Sequence, residues 1–415
     1  MTAGPGSARR AFRPRRRLRA SLVQLLFIVA GLVLGIVLPH LAPGPQIPTA
    51  KVNTVLGSIG IGVIGVVSVA FSLLFLVVQW SFSNLTPRLN TFKHDPLLWR
   101  SLGFAIGLFV FCITVPLATA NRDQVPILVP ALAAFGVLVA LALIRGLQMR
   151  AFASVDLAPV LAGIATRGRA VIDDLYTEPI GRVGEPAPGA GVLTATGADL
   201  IRIVRWPHPP ETLQQLDVEE LIAAASAVGA LVIVRARIGM PLHENQVVAE
   251  IYLADLTDQQ IMHALITGHE RTYHQDPMFA FRLLADIALR ALSPAVNDPA
   301  TAVQSLEASA GLLQALAGRD LTVGPALDEA GTARVAFTNP TWEAFVLIAF
   351  GDTVECATRS AMVLYRARAA LRRLAELAPA ERRGPLERRA HRCDYLLDAH
   401  FPAADFGLGD DAEAW

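Results

Sequence analysis

The sequence predicts an α-helical membrane module of four transmembrane helices, followed by a cytoplasmic α+β domain that ends in a helical bundle. The chain is 53% hydrophobic and only 17% charged, whereas a soluble domain carries about 25% charged residues. Residues 1–150 hold fourteen of the 36 basic residues and two of the 36 acidic ones, which leaves 22 basic and 34 acidic residues for the remainder. A basic, apolar first part and an acidic second part indicate a membrane module followed by a soluble one.

Four charge-free apolar stretches define the membrane module. Each supplies the roughly 20 apolar residues that a helix needs to cross a hydrocarbon core about 30 Å thick. We place the spans at about 21–39, 54–80, 101–120 and 125–144. The whole chain then divides into a basic cytoplasmic tail (1–20), a membrane domain (21–150), a cytoplasmic α+β region (151–255), a cytoplasmic helical region (256–400) and an acidic, disordered tail (401–415).

Basic residues near the span ends predict the orientation. Seven arginines precede the first span, three basic residues lie between the second and third spans, and Arg145 and Arg150 follow the fourth. The other two loops carry one basic residue each, Lys51 and Arg122. Because basic loops stay in the cytoplasm, both termini are expected there, in the inner membrane of a bacterium. A cleaved signal is less favoured than an uncleaved first span, since no A-x-A site follows the apolar run.

Small and polar residues share one face of the first span and one face of the second. In the second span they fall within an arc of about 120° at 100° per residue. These faces comprise Gln24, Gly31, Gly35, Ser58, Gly62, Gly65, Ser68, Ser72 and Gln79. Such faces permit close helix packing in lipid, which is the favoured interpretation. The alternative is that they line a water-filled pore between subunits.

The second half of the chain mixes strand and helix signals. We predict strands at 192–195, 200–206, 230–237 and 246–253, with a helix at 211–227. From residue 256 onward the pattern is helical, with helices at 277–292, 299–316 and 340–376. The arginine-rich stretch 382–392 is interpreted as a solvated helix face, with a lipid-binding patch as the alternative.

The most specific signal lies between residues 268 and 302. It contains Arg271-Thr272 followed by Gln275-Asp276, and then Ala291-Leu292-Ser293-Pro294 followed by Asn297-Asp298-Pro299 and Thr301-Ala302. These R-T-x-x-Q-D and A-L-S-P-x-x-N-D-P-x-T-A segments resemble a bacterial family of predicted membrane proteins, domain-of-unknown-function family 2254. The resemblance covers about residues 20 to 400 and implies four spans before a cytoplasmic domain. It departs at Ala280 and Leu284, and it implies no particular activity.

The residue types of this segment permit a structural and a functional interpretation. Asp286 is four residues from both Arg282 and Arg290, so it can pair with either along a helix face. Asn297 and Asp298 are most simply helix caps. A ligand site would require the polar residues of the segment to converge in space. That set comprises Arg271, Thr272, Gln275, Asp276, Arg282, Asp286, Arg290, Asn297, Asp298 and Thr301.

Several kinds of chemistry are disfavoured by composition. No lysine follows residue 93, which excludes a P-loop, Schiff-base, biotinyl or lipoyl lysine beyond it. The three cysteines are too widely spaced to suggest disulfides or a zinc ribbon. The spacing of His263, His269 and His274 does not place two metal ligands on one helical turn. We therefore expect no metal, no cofactor, no nucleic-acid partner and no enzyme activity.

The resulting functional hypothesis is a homo-oligomeric, channel-like or permeation protein for a small ion or solute, embedded in the lipid bilayer, with a cytoplasmic assembly or regulatory domain. The alternative is a membrane-tethered scaffold or sensor that binds a ligand or a protein partner through residues 268–302. A third class, a membrane enzyme acting on lipid or cell-envelope precursors, draws its only support from the His and Asp residues between 391 and 400.

Overall fold

The computed structural model describes residues 20–42, 44–84, 96–153, 156–180 and 199–402. It divides into two compact units, one within residues 16–160 and one from residue 161 onward. We call them the membrane unit and the C-terminal unit and describe each by itself. The tails before residue 20 and after residue 402, and the predicted strand 192–195, lie outside the described residues.

The membrane unit consists of four long helices. They are α1 (Ala20–Leu41), α2 (Thr49–Asn84), α3 (Pro96–Ala118) and α4 (Leu128–Ala153). Each contains a segment long and apolar enough to span a membrane, which confirms the four predicted spans. These segments are Val23–Leu41, Thr49–Leu76, Leu97–Ala118 and Leu128–Arg150.

A short strand pair joins the α1–α2 and α3–α4 connections. Strand β1 (Gln46–Pro48) pairs antiparallel with β2 (Gln124–Pro126). The Thr49 amide donates to the Asp123 carbonyl at 3.0 Å, and the Arg122 guanidinium donates to the Pro39 carbonyl at 3.0 Å. Both connections therefore lie at the same end of the bundle, as four alternating spans require.

Helix α3 is the centre of the bundle, because it contacts each of the other three helices. Helix α2 packs against α3 and α4 with an apolar face that recurs at helical spacing, including Val52, Leu56, Val63 and Val67. This face is the buried stripe expected of a helix with one side turned toward its neighbours.

The first part of the C-terminal unit is a mixed α/β region. It follows helix α5 (Leu157–Leu175) and contains β3 (Leu200–Arg205), β4 (Glu211–Leu216), α6 (Val218–Val228), β5 (Leu231–Val234), β6 (Pro241–Leu242), β7 (Val247–Tyr252), α7 (Asp258–Ala264) and β8 (Leu265–Gly268). Strands β6, β4 and β8 form a three-stranded sheet in that order.

The second part is mainly helical. It contains α8 (Phe279–Ala291), α9 (Pro299–Ala317), β9 (Ala326–Leu327), β10 (Ala333–Phe337), α10 (Trp342–Val346), a π-helical turn (Leu347–Gly351), α11 (Asp352–Cys356), α12 (Ala361–Leu377) and α13 (Ala380–His400). Strands β10 and β9 complete a five-stranded sheet of order β3-β7-β5-β10-β9. The core on this sheet includes Val204, Val232, Val248 and Val335, with Leu221 from α6.

Two predicted helices have different boundaries in the structure. The predicted helix 211–227 is strand β4 followed by α6, because the Asp217 side chain accepts from the Glu220 amide and starts the helix there. The predicted helix 340–376 is interrupted after α11, and Ser360 caps a new helix, α12. Strands β8, β9 and β10 also interrupt the region predicted as helical from residue 256. They are two to five residues long and depend on distant pairing partners that a local pattern does not show.

Candidate functional site

The small-residue face of α1 packs against α3 within the same chain. A methyl group on Gly35 would lie 2.7 Å from the Thr114 Cβ atom. On α3, a methyl group on Gly107 would lie 2.5 Å from the Phe27 carbonyl oxygen, and one on Gly103 would lie 3.1 Å from the Cα atom of Gln24. Backbone therefore meets backbone along this interface, and Gly31 takes part through close approach to Gly107.

This contact is made by two pairs of glycines at the same spacing. Gly31 and Gly35 form one G-x-x-x-G pair, and Gly103 and Gly107 form a second on the facing helix. The contacts of the α1 glycines are those of close helix packing. The pair on α3 was missed in the sequence, although its spacing was visible.

The corresponding stripe of α2 points away from the rest of its unit. Gly62 and Gly65 have no atom within 4 Å of an added methyl group. The stripe residues Ser58, Gly62, Gly65, Ser68, Ser72 and Gln79 are all exposed. At 100° per residue they lie opposite the buried face that contains Leu56 and Val63.

Two of the three serine hydroxyls of this stripe are bonded to the helix backbone. Ser58 Oγ donates to the Thr54 carbonyl at 3.0 Å, and Ser72 Oγ donates to the Ser68 carbonyl at 2.9 Å. Such bonds satisfy each hydroxyl proton while leaving oxygen lone pairs directed outward. From Ser58 to Ser72, the α2 stripe is therefore a small, weakly polar surface with open space around Gly62 and Gly65 in the described part of this chain.

In the C-terminal unit, Arg271 and Asp276 form a buried ion pair. The Asp276 side chain is 1% exposed, and Arg271 donates to it from Nε at 2.7 Å and from Nη2 at 2.9 Å. The Met278 amide donates to the same carboxylate at 3.1 Å. Burial raises the pKa of Asp276 to about 6, because desolvation outweighs the lowering effects of Arg271 and the backbone donors.

Gly239, in the loop between β5 and β6, makes room for this pair. Its φ of +83° favours glycine. A methyl group there would overlap the Asp276 carboxylate and lie 2.8 Å from Arg271 Nε. The sequence placed Gly239 in a loop but gave no signal for its contact with Asp276, which is 37 positions away.

The residues between Arg271 and Asp276 attach the same segment to β4. The buried Gln275 accepts from the Leu216 amide at 2.7 Å and donates to the Leu216 carbonyl at 3.2 Å, as a neighbouring strand would. The Thr272 and Tyr273 hydroxyls are buried without a partner in the described structure. Burial raises the pKa of Tyr273 to about 12, and its ring packs edge-on against Phe279.

Two further groups of motif residues lie along and beyond α8. Arg282 pairs with Asp286 at 2.6 Å and with Asp352 at 3.4 Å. After α8, the Asp298 carboxylate accepts from the Thr301 amide at 3.1 Å and from the Thr301 hydroxyl at 2.6 Å. Asp298 is thus the N-cap of α9.

The remaining residues of this turn also have local roles. Pro299 occupies the first turn of α9, where its missing N–H is not needed. Asn297 has a φ of +48°, which asparagine tolerates better than most residues. The carbonyl of Arg290 accepts from the Ser293 hydroxyl at 2.7 Å, which closes the end of α8.

The motif residues do not converge on one site. The Arg271–Asp276 pair precedes α8, whereas the Asp298 amide bonds to Ala291 at the far end of that helix. The thirteen residues of α8 separate the two groups by about 20 Å. The bonds that the structure shows for Asp276, Gln275 and Asp298 are to neighbouring parts of this chain, so they stabilise its fold.

The arginine-rich stretch of α13 is bound to other parts of its own unit. Arg388 pairs with Glu343, and Arg389 and Arg392 both pair with Glu355. Such pairing is typical of a solvated, ion-paired helix face. Each of these guanidinium groups already has a carboxylate partner within the unit.

Arg382 differs from its neighbours because it is buried, with an exposure of 6%. Its guanidinium donates to the carbonyls of Leu316 at 2.6 Å and Ala317 at 3.2 Å, which are the last residues of α9. It also lies 5.1 Å from the Trp342 ring centroid. Sequence reasoning missed this helix-capping role, because arginine is rarely buried without a carboxylate.

Two of the residues between 391 and 400 that carry reactive groups are Cys393 and Asp394. Asp394 accepts from Arg368 and Arg372. Burial raises the pKa of the Cys393 thiol to about 12, which keeps it protonated. Within the described ranges, no group of three His, Cys, Asp or Glu residues is placed to hold a metal ion.

The four long apolar helices, followed by a mixed α/β region and C-terminal helices, define a multi-pass membrane protein with a substantial C-terminal unit. The chain belongs to the family of predicted membrane proteins of domain-of-unknown-function family 2254, whose model matches residues 18–373. The resemblance in the 268–302 segment is thereby confirmed at the level of the family.

Three mycobacterial relatives share part of the sequence. One protein of Mycobacterium bovis and one from each of two strains of Mycobacterium tuberculosis are 34% identical to this chain over 111 residues, and each is described as uncharacterised. The match covers 27% of this chain and 21% of each relative, so this chain matches about a fifth of their length. No solved structure matches the chain significantly.

Proposed function

We propose that this protein is a homo-oligomeric, channel-like permeation protein of the bacterial inner membrane, with both termini in the cytoplasm and with the C-terminal unit directing assembly. The observation that carries the proposal is the outward-facing α2 stripe. Its residues from Ser58 to Ser72 lie opposite the face of α2 that packs inside the unit.

The physical argument compares this stripe with the α1–α3 interface. In lipid, helices associate mainly through close packing and polar contacts, since apolar surface gains little by leaving hydrocarbon. The α1 glycines find that packing within the chain, against Gly103 and Gly107. The α2 stripe offers the same kind of surface with open space around Gly62 and Gly65. A second copy of the chain supplies the matching stripe, and the serine oxygens then face a shared axis.

Crosslinking tests the assembly. In a Cys356→Ala background, which removes the exposed native thiol, Ser58→Cys and Ser72→Cys should give covalent dimers with a short bis-maleimide in native membranes. The matched control is Leu138→Cys on α4, which is 64% exposed but lies off the stripe. Equal crosslinking of the control and the stripe variants would contradict assembly through α2.

Flux measurements test permeation. Liposomes containing the purified full-length protein should release K⁺ or a small anionic dye faster than empty liposomes. Gly65→Leu fills the open space on the stripe and should lower the release to the level of empty vesicles. Release by the wild-type protein that never exceeds the empty-vesicle rate would overturn the channel-like function.

A second candidate, a scaffold or sensor that binds through the 268–302 segment, is favoured by one observation. The Thr272 and Tyr273 hydroxyls are buried without a partner in the described structure, and a buried hydroxyl normally has one. A bound ligand would provide it. Under this candidate, Tyr273→Phe abolishes partner capture while leaving insertion and assembly intact.

A further inference from the structure

The packing of α3 against α4 places two arginines at one level. A methyl group on Gly146 would lie 3.6 Å from Leu97, and one on Gly136 would lie 2.8 Å from Leu108, so the two helices run antiparallel in a fixed register. Arg100 is three residues beyond Leu97, and Arg145 is one residue before Gly146. At 1.5 Å per residue, the two Cα atoms lie at nearly the same height, within about 3 Å.

Helices α1 and α2 can be aligned with the level of Arg100 and Arg145 from their contacts with α3. The α1–α3 contacts of Gly31 with Gly107 and of Gly35 with Phe111 show that these helices run parallel with an offset of 76 residues. Val23, where the apolar segment of α1 begins, is then level with Arg100 to within about one residue. From the contact of Gly60 with Cys112, Ser72 is the residue of α2 closest to that level.

The distance from this level to the β1–β2 end matches a bilayer. From Arg100 to Ala118, where the apolar segment of α3 ends, a helix rises about 27 Å. The hydrocarbon core of a membrane is about 30 Å thick. The level of Arg100 and Arg145 is therefore the edge of the hydrocarbon, where lipid phosphate groups lie.

The two arginines are free to bind a ligand at this edge. Both side chains belong to exposed residues, and neither forms an ion pair within the part of the chain that the structure describes. Arg145 lies between the exposed apolar residues Leu141 and Met149 on the outer face of α4. In sequence, Arg88 and Lys93 lie between α2 and α3 and Arg150 lies near the end of α4, with Asp95 and Asp156 as the acids of the same stretches.

We infer that Arg100 and Arg145 form a lipid-binding belt that holds the phosphate of anionic phospholipids at this edge of the bilayer. A guanidinium group binds phosphate with paired, charge-assisted hydrogen bonds, and the surrounding apolar residues accommodate the acyl chains. The inference does not depend on the proposed function. It also defines which part of the α2 stripe lies in the hydrocarbon. Ser58 to Ser72 lie inside the hydrocarbon layer, whereas Gln79 lies about 10 Å beyond its edge.

Lipid retention tests the belt. The full-length protein is purified from mixed micelles of phosphatidylglycerol and phosphatidylcholine in equal amounts, and the retained lipids are counted by mass spectrometry. The wild-type protein should prefer phosphatidylglycerol, and each of Arg100→Gln and Arg145→Gln should lower that preference about fivefold, as expected for one basic residue near an anionic surface. Arg359→Gln, an exposed arginine of the C-terminal unit, is the charge-matched control and should leave the preference unchanged.

Three further measurements distinguish phosphate binding by the belt from misfolding of the variants and from capture of free phosphate. Arg100→Lys with Arg145→Lys keeps the charge and should retain most of the preference, even if the glutamine variants fail to fold. High salt should reduce the preference of the wild-type protein, because surface charges are screened. Excess inorganic phosphate should not displace the lipid. Equal retention of the two lipids by the wild-type protein, an undiminished preference in the glutamine pair, or displacement by free phosphate would each overturn the inference.

Discussion

Glycine permits close approach in both units of this molecule, but different groups approach it. In the membrane unit, Gly31 and Gly107 bring one helix backbone against another. In the C-terminal unit, Gly239 faces the Asp276 carboxylate and Gly268 faces the Gln214 amide. The difference follows from the surroundings: lipid offers helices little reason to associate except close packing, whereas a unit outside lipid pairs most of the polar groups that it buries.

The same contrast explains how the two units use charge. The glycine contacts that hold α1 to α3 involve uncharged groups. The C-terminal unit instead joins its helices through guanidinium groups. Arg382 reaches the end of α9, and Arg319 donates to the carbonyls of Ile172 and Tyr176 near the end of α5. A helix C-terminus carries a partial negative charge that a cation stabilises. Substitutions of these glycines and arginines should therefore have effects that differ between the two units.

The largest effect is expected where backbone meets backbone. Gly107→Leu places a branched side chain against the Phe27 carbonyl, 2.5 Å from the first added carbon. Because neither backbone can move aside without separating the helices, we expect loss of more than about 4 kcal/mol and little folded protein. The measurement is the yield of monodisperse protein in detergent. Gly62→Leu is the matched control, with open space around it, and it should leave that yield nearly unchanged.

Removing the buried guanidinium should have the next largest effect. Arg382→Met keeps the length of the side chain but leaves the Leu316 and Ala317 carbonyls without their donor. The expected loss is about 3 kcal/mol in the free energy of unfolding. It is measured by denaturant titration, with the tryptophan fluorescence of the protein as the signal. Arg388→Met removes an exposed pair with Glu343 and should change stability by less than about 0.5 kcal/mol. Similar losses for both variants would show that burial of Arg382 is unimportant.

The sequence was sufficient for the elements that are fixed locally. Long apolar runs predicted all four spans, and the Asp298-Pro299 pair predicted the start of α9. It was insufficient where distant residues decide. The local pattern of β10 does not predict a strand, because this strand depends on pairing with β5, about 100 residues earlier.

The candidate site shows the same limit. The stripes of α1 and α2 both contain two glycines and a glutamine, and the position of Gly103 and Gly107 shows that the glycines of the first pack inside the chain. The sequence did not predict that Arg271 pairs with Asp276, because the residues that enclose this segment, Gly239 and Leu216, belong to distant elements.

An intermediate effect is expected at Gly239. Gly239→Ala adds one methyl group at a φ of +83° and against the Asp276 carboxylate. We expect a loss of about 2 kcal/mol, half from the backbone conformation and half from displacement of the ion pair. Thermal unfolding measures it. Gly229→Ala also has a positive φ, of +81°, but open space around it, so a smaller loss there isolates the contribution of Asp276.

Asp276 should also give the C-terminal unit a dependence on pH. Its pKa in the folded protein is about 6, above its value of about 3.9 in an unfolded chain. The folded state therefore binds the proton first, so stability rises as pH falls and is lost as pH increases through 6. Between pH 7 and pH 5 the gain is about 1 kcal/mol. Asp276→Asn should remove this slope, and an unchanged slope in that variant would assign it to another group.

The smallest effect is expected at Tyr273. Its hydroxyl is buried without a partner in the described structure, so Tyr273→Phe removes a desolvated group and breaks no bond. The ring keeps its edge-on contact with Phe279 and its position beside Arg167. The free energy of unfolding should stay within about 0.5 kcal/mol of the wild-type value or increase, as measured by denaturant titration. A clear decrease would show that the hydroxyl bonds to a partner within the folded protein, and it would contradict the expectation that Tyr273→Phe breaks no bond.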